Sequence, residues 1–328
     1  MKTKVELDNS NISKHLGQSS SYAAEYDPTL LVREPRQSNR THLDISDDSL
    51  PFVGTDTWNG YEVTGLTYSG LPAVGICKFV YPCSSKYIVE SKSVKLYFNS
   101  FSMTKLGNTS SEVLREIEAR ASKDLSELVE AEVKVFIYSN REALELDFEV
   151  ASDLWNIDTS ETISYNAYVT LEDTFVSVKD EFDTYTETPE LLEVMGPKGN
   201  QPASDLFSNS DHQTYSYHSA LLRSRCRVTS QPDTGDVFIS YVGSKTVTPL
   251  SLLKYIVSFR DECHFHEEIC EAIYKRLWDV LQPESLSVKC LYARRGSWDI
   301  NPERVSSEKL KHKELGDAEF LHIKLPRQ

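Results

Sequence analysis

Cys226 sits in the run Arg223-Ser-Arg-Cys226-Arg-Val-Thr-Ser-Gln-Pro-Asp233-Thr-Gly235, with three arginines within three residues of it. Nearby positive charge stabilises a thiolate over a thiol. In a strand, however, Arg225 and Arg227 point to the face opposite Cys226 and act only through their longer-range field. Pro-Asp-Thr-Gly is a turn signal able to bring Asp233 back beside Cys226. A cysteine facing a carboxyl group across a turn makes a nucleophile and a proton donor. Donation at neutral pH requires burial to raise the Asp233 carboxyl. A buried structural cysteine followed by a turn aspartate has the same spacing, and cysteine is among the most buried residue types.

Three other segments carry chemistry-bearing side chains. In Val89-Glu-Ser-Lys-Ser-Val-Lys-Leu-Tyr-Phe-Asn-Ser-Phe101, an all-strand reading puts Glu90, Lys92 and Val94 on one face. A carboxylate at Glu90 matches the paired N–H groups of a guanine-like base, and Lys92 and Lys95 can meet phosphates. A solvated strand face with alternating charges fits the same composition. Cys263-His-Phe-His-Glu-Glu-Ile-Cys270 holds two thiols and two imidazoles. Its spacing suits zinc poorly, because His264 and His266 cannot share a helical face. His266 and Glu267 at a helix start read better as hydrogen-bonding groups, with Phe265 covering an aromatic base, although capping groups at a helix end look the same. Tyr292-Ala-Arg-Arg-Gly-Ser-Trp-Asp-Ile-Asn-Pro302 offers a diarginine and a glycine to an anion, or a strand end with exposed arginines.

Hydrophobic periodicity supplies the frame for these segments. Strands are expected at Tyr61–Thr67, Val74–Tyr81, Ser93–Phe101, Val133–Tyr138, Ile163–Thr170, Leu221–Thr229, Val237–Val242 and Leu286–Tyr292. Asn108–Ser111 offers N-cap chemistry to a helix carrying Val113, Leu114, Ile117, Leu125 and Leu128. Leu250–Phe259 and Phe265–Leu281 read as helices, the second closed by Pro283. Strands, a helix pair and a further strand recur in each half, which suggests two related α+β modules. Residues 1–48 are polar and rich in turn formers, and read as an extension wrapping the fold rather than a core element. Gly196–Tyr217 reads as a loop.

The chain of 328 residues has a formal charge of −15, which disfavours a long nucleic acid and favours a small molecule. No apolar run approaches membrane-spanning length, and Met1–Gly17 lacks the apolar core of a secretory signal, so a cytoplasmic location is expected. Six cysteines without a CxxC pair read as free thiols. No GxGxxG, P-loop or HExxH is present, so a nucleotide must be held in some other way.

Taken together, these segments resemble the bimodular form of the NADPH-dependent 7-cyano-7-deazaguanine reductases, the nitrile reductases of queuosine biosynthesis. The run from Glu90 to Phe101 is similar to the family's signature motif, and Cys226 with Gln231-Pro232-Asp233 to its nucleophile and acid. Val257-Ser-Phe-Arg260, Phe265-His-Glu267, Arg294-Arg-Gly296 and Asp299-Ile-Asn-Pro302 match in order, and so do Tyr26-Asp27, Pro35-Arg36, Asn39-Arg40 and Leu50-Pro51-Phe52 upstream. The resemblance implies an α+β chain of tandem tunnelling-fold modules, antiparallel sheets with paired helices. It divides the chain into an extension (1–48), a first module with the signature motif (49–150) and a second with the nucleophile (151–328), which carries an insertion at 196–217. It implies that Cys226 attacks the nitrile carbon to give a thioimide and that Asp233 supplies the proton. Val89, Glu90, Ser91, His266 and Glu267 would hold the deazapurine, and Ser91, Lys92, Arg295 and Gly296 would contact NADPH. No metal, nucleic acid or membrane partner is implied, and a homodimer is. Cys83 does not align with the nucleophile. Thr234, where the family often has Trp, and Ser297-Trp298, where small and aliphatic residues are usual, bear on pocket shape. The rival readings are a non-reducing amidinotransferase-like relative, a zinc-dependent cyclohydrolase of the same broad fold and a non-catalytic purine-binding module.

Overall fold

A computed structural model of the chain describes residues 25–139, 142, 168–177, 179–196, 213–228, 230–312, 316 and 328. In chain order its strands are β1 Arg33–Pro35, β2 Val53–Thr67, β3 Pro72–Pro82, β4 Tyr87–Val89, β5 Lys105–Gly107, β6 Lys134–Ser139, β7 Val169–Thr170, β8 Val194–Met195, β9 Gln213–Cys226, β10 Pro232–Gly243, β11 Thr246–Val247, β12 Cys263–His264, β13 Ser285–Tyr292 and β14 Trp298–Val305. The helices are α1 Gln37–Arg40, α2 Ser91–Ser100, α3 Ser110–Val129, α4 Leu171–Phe175, α5 Pro249–Ser258 and α6 His266–Leu281.

One mixed sheet, mostly antiparallel, runs in the order β12-β9-β10-β13-β14-β2-β3-β6. The order β2-β3-β6, with α2 and α3 between the second and third strands, is matched by β9-β10-β13 with α5 and α6 in the same place. Alternation drives this arrangement. Along β2 and β3, Trp58, Val63, Ala73, Cys77, Phe79 and Tyr81 turn toward Val94, Phe98, Val113 and Ile117 of the helices. Leu222, Val237, Ile239, Leu286 and Val288 do the same for Leu252, Ile256, Ile269 and Ile273. The two cores meet where β14 pairs with β2, Trp298 opposite Gly60 and Val305 opposite Val53.

Helix boundaries follow local chemistry. Thr109 caps α3 by accepting from the Glu112 N–H at 3.1 Å. Gln282 ends α6 in the left-handed region and Pro283 follows, as the periodicity implies.

Several expectations are corrected. Ser93–Phe101 is not a strand: Ser91–Ser100 is helix, because Glu90 turns its carboxylate onto the free N–H groups of Lys92 and Ser93. Val94, Tyr97, Phe98 and Phe101 then share the buried helical face that was read as alternation. The described part of 1–48 does contribute to the core, since Leu43 and Ile45 are buried in it, Arg36 and Arg40 are buried and β1 pairs with β4. Of Gly196–Tyr217, residues 213–217 belong to strand β9 and 197–212 lie outside the described residues. In Ile163–Thr170, residues 163–167 also lie outside them, and Val169–Thr170 is a short strand beside β9. Strand β14, buried along its whole length, is an element that the strand expectations did not include.

Candidate active site

The hairpin β9–β10 carries the first pair of side chains. Asp233 stands opposite Ser224, two residues before Cys226, so Cys226 and Asp233 project from the same face. The turn is closed by the Cys226 N–H on the Gln231 carbonyl at 2.8 Å and the Ser230 N–H on the Cys226 carbonyl at 2.9 Å. Strand β12 then runs parallel to β9 with His264 beside Cys226, which delivers Phe265 and the start of α6 to Cys226. From the other half, the pairing of β1 with β4 and the Glu90 N–H on the Val32 carbonyl at 2.9 Å fix the start of α2.

These elements enclose an open cleft at the meeting of the two halves. Its walls include Val89, Glu90, Ser91, Lys92, Lys95, Cys226, Asp233, His266, Glu267 and Arg295. Gly296 stands behind the wall. A Cβ on it would meet the Lys95 side chain at 3.1 Å, and its φ of +54° suits glycine. Gly296 and Ser297, both at positive φ, make the two-residue turn between β13 and β14, closed by the Arg295 N–H on the Trp298 carbonyl at 2.9 Å. That turn is what aims Arg295 at the cleft.

The three arginines around Cys226 each have partners. Arg223 and Arg225 donate to the Arg260 and Asp261 carbonyls, and Arg227 donates to Glu268 at 2.6 Å. Among the described residues, Cys226 is the cysteine that lines the cleft; Cys77, Cys83, Cys270 and Cys290 are buried and Cys263 is exposed. Burial pushes the Cys83 thiol up, and it lies in the core beside the Arg40–Glu271 pair rather than in the cleft.

Asp233 corrects the expectation of an acid kept neutral by burial. Burial does push its carboxyl up, but His266 and Arg295 outweigh that and hold it below the ordinary value. His266 Nε2 lies 3.4 Å from one oxygen, and the Arg295 guanidinium pairs with the other. These two partners hold Asp233 ionised. A carboxylate in that state suits a proton acceptor from the thiol first and a donor second.

The two other carboxylates differ from each other. Glu90 accepts from the Lys92 and Ser93 N–H groups at 2.9 and 2.7 Å, one on each oxygen, which leaves lone pairs for a base edge. Glu267, fully buried at the start of α6, is raised to about 8, chiefly by burial and then by Asp56. Beneath it lies a dry ion network: Arg304 bridges Asp56 and Glu271, Arg36 pairs with Asp56, and Arg40 grips Glu271 at 2.7 Å. This network ties β2 and β14 to α6 and so fixes the two cleft walls relative to one another.

His264 is wedged between Glu262 and Glu268, each 3.3 Å away. Burial disfavours its charge, but the two carboxylates prevail and raise it to about 9. The folded state therefore favours the imidazolium more than the unfolded chain does. That stabilisation is complete below about 6.5, the ordinary value, and is lost as pH rises through about 9. His264→Gln is expected to cost about 1.5–3 kcal/mol at mildly acidic pH, the range for hydrogen bonds to charged groups. Urea unfolding should show the gap from wild type closing toward pH 10; a gap independent of pH would refute the charged pairing.

Sequence reasoning pointed to Trp298 as shaping the pocket but missed Trp58 beside it. Trp58 is fully buried, stacks on Phe79 at 5.2 Å and lines the cleft with Trp298 and Ile300. Trp298 packs on Phe98 at 4.8 Å, and a Cβ on Gly60 would come within 2.4 Å of its indole, so the bulky residue at 298 is housed by the glycine opposite. The alternation of Trp58 with Gly60 was the available signal. Among the described residues no group of three or more His, Cys, Asp or Glu is placed to hold a metal, and no helix is long and apolar enough to cross a membrane.

Comparison with known proteins adds a second line of support. Residues 22–137 match the family model described as nitrile reductase, 7-cyano-7-deazaguanine-reductase N-term, and residues 232–311 match that of QueF-like protein. A protein of Colwellia psychrerythraea is 37% identical over 89% of this chain and 91% of its own length. One from Legionella pneumophila is 36% identical over 93% of this chain and 94% of its own. One from Desulfotalea psychrophila is 34% identical over 98% and 99% respectively. All three are named NADPH-dependent 7-cyano-7-deazaguanine reductase. A solved archaeosine synthase QueF-Like in the apo form is 14% identical, covers 30% of this chain and 95% of its own, and superposes with a TM-score of 0.26, too low to carry an argument.

Proposed function

This chain belongs to the NADPH-dependent 7-cyano-7-deazaguanine reductase family, and from that premise we propose that it reduces the free nitrile base to the aminomethyl base through a covalent thioimide on Cys226. The observation that carries this reading is the meeting, in one cleft, of Cys226 and Asp233 from one half with Glu90 and the lysines of α2 from the other.

In the first step the Cys226 thiol gives its proton to the ionised Asp233 while the sulfur attacks the nitrile carbon. A C–S bond forms, one π pair of the C≡N bond moves to nitrogen, and Asp233 hands that nitrogen the proton. The addition is redox-neutral and balanced. Glu90 and the main chain of Val89 and Ser91 face one edge of the base, and His266 and Glu267 face the other. Glu267 in its neutral form donates a hydrogen bond, and in its ionised form accepts from N–H groups. Base analogues lacking the matching groups leave buried polar atoms unpaired and are rejected by roughly 10⁴-fold.

NADPH supplies hydride, twice for a nitrile carried to an amine. Lys92, Lys95 and Arg295 fit its phosphates. The Lys95 ammonium is disfavoured by burial, Arg295 and Lys92 in turn, so three cations crowd one edge of the cleft, an arrangement that suits a polyanion. Lys92→Ala is expected to raise the NADPH concentration needed for half-maximal rate by about 10-fold, the value of one charge-assisted bond. Adduct formation with the nitrile alone should survive. Loss of the adduct in that variant argues against a cofactor role.

The finer organisation follows the same reading: tunnelling-fold modules at 49–150 and 151–328 after an extension at 1–48, a homodimer, a free base rather than a nucleic acid as substrate, and a cytoplasmic setting in queuosine biosynthesis. The deciding assay is NADPH absorbance with free 7-cyano-7-deazaguanine. Two equivalents consumed per amine formed supports the proposal, and nitrile binding without oxidation overturns it in favour of a binding module.

A further inference from the structure

We propose that Arg295 is a latch on Asp233: it pairs with the carboxylate until a dinucleotide phosphate binds the Lys92–Lys95 edge, and then swings to that edge, raising the proton affinity of Asp233 for the protonations that follow hydride transfer. The proposal rests on the assignment of that edge to NADPH.

The two partners are unequal in freedom. Asp233 is 6% exposed and fixed in the hairpin, opposite Ser224. Arg295 is 39% exposed and stands at the two-residue turn between β13 and β14. The turn lies close to the lysine edge, since a Cβ added to Gly296 would stand 3.1 Å from the Lys95 ammonium. A pyrophosphate there carries two negative charges against one on the carboxylate, and two of its oxygens can meet the two-pronged guanidinium. It also relieves the crowding of Arg295 and Lys92 about Lys95.

Every element around Asp233 contributes a group. Arg295 faces it from the turn, His266 from α6, Cys226 from β9 and Lys95 from α2, while Tyr292 of β13 stacks under His266 at 3.8 Å. When Arg295 leaves, His266 and Lys95 still favour the carboxylate and burial opposes it. The net effect is a rise in proton affinity. Coupling of this kind links the acid to the reductant: the thioimide forms before hydride is present, but nitrogen can be reprotonated efficiently only with the dinucleotide seated.

The test is an infrared titration of the Asp233 carboxylate in the full chain, taken as wild type minus Asp233→Asn, free and with saturating NADP⁺. NADP⁺ should raise the wild-type midpoint by about one pH unit or more, a tenfold gain in proton affinity. Arg295→Gln should start at the raised midpoint without ligand and move little when NADP⁺ is added. An unchanged midpoint in free Arg295→Gln, or a wild-type midpoint indifferent to NADP⁺, overturns the latch. A shift by NADP⁺ of equal size in both proteins also overturns it, because the phosphate charge then acts directly. Fluorescence titration of NADP⁺ binding separates the two readings. Wild-type affinity in both Lys92→Ala and Arg295→Gln sinks the cofactor assignment and the release with it, whereas weakened binding with an unmoved midpoint sinks the latch alone.

Discussion

Cys226→Ala is expected to abolish nitrile-dependent NADPH oxidation, lowering the rate on the order of 10⁴-fold or more, as loss of a covalent nucleophile does. The hairpin should be undisturbed. Cys226 is only partly buried at the strand end, and its backbone bonds to Gln231 and Ser230 do not involve the thiol. The variant should therefore fold and still bind the base, since Glu90, His266 and Glu267 are untouched. Calorimetric titration with the nitrile distinguishes this outcome from a general collapse of the cleft. Retention of a substantial fraction of the rate would remove sulfur from the chemistry.

Asp233→Asn is expected to slow both adduct formation and turnover by about 10²–10⁴-fold, the range of general acid–base catalysis. An amide keeps the shape and a hydrogen bond to Arg295, but it cannot carry the thiol proton to nitrogen. Removing the charge also frees Arg295, so NADPH should bind at least as tightly as in wild type. A variant that formed adduct at the wild-type rate would mean that another group moves the proton, with His266, 3.4 Å from Asp233, the next in line.

Much of the fold was legible because β-period and helix-period stretches are long here. β3, β6 and β13 were found within two residues, and so were the helices at 249–258 and 266–281, whereas β10 starts five residues earlier than expected and takes Asp233 into the strand. The errors share a cause: tertiary partners outvoted local pattern. The segment after Val89 alternates well enough for a strand, but Glu90 supplies an N-cap and a helix follows. Trp298–Val305 looks like a polar tail, yet Asp299, Asn301, Glu303 and Arg304 are all buried because the strand fills the seam between β13 and β2. No local signal announces a buried Asp299 served by Asn59 at 2.7 Å and Tyr61 at 2.8 Å from a strand some 240 positions away.

The named site residues were legible one by one, and their convergence was not. Nothing in spacing places Glu90 opposite Cys226; the β14–β2 seam and the buried Arg304 bridge do that. The charge state of Asp233 was misread for a related reason. Burial is visible as an apolar neighbourhood, whereas the Arg295 partner arrives from 62 positions away through a turn set by Gly296 and Ser297.

The most direct measurement is peptide-mapping mass spectrometry of the chain mixed with 7-cyano-7-deazaguanine in the absence of NADPH. The account requires one added base, bound through sulfur, on the peptide that contains Cys226, disappearing once NADPH is supplied. A modification mapped to Cys83 or Cys263, or none at all in a preparation that oxidises NADPH, contradicts it.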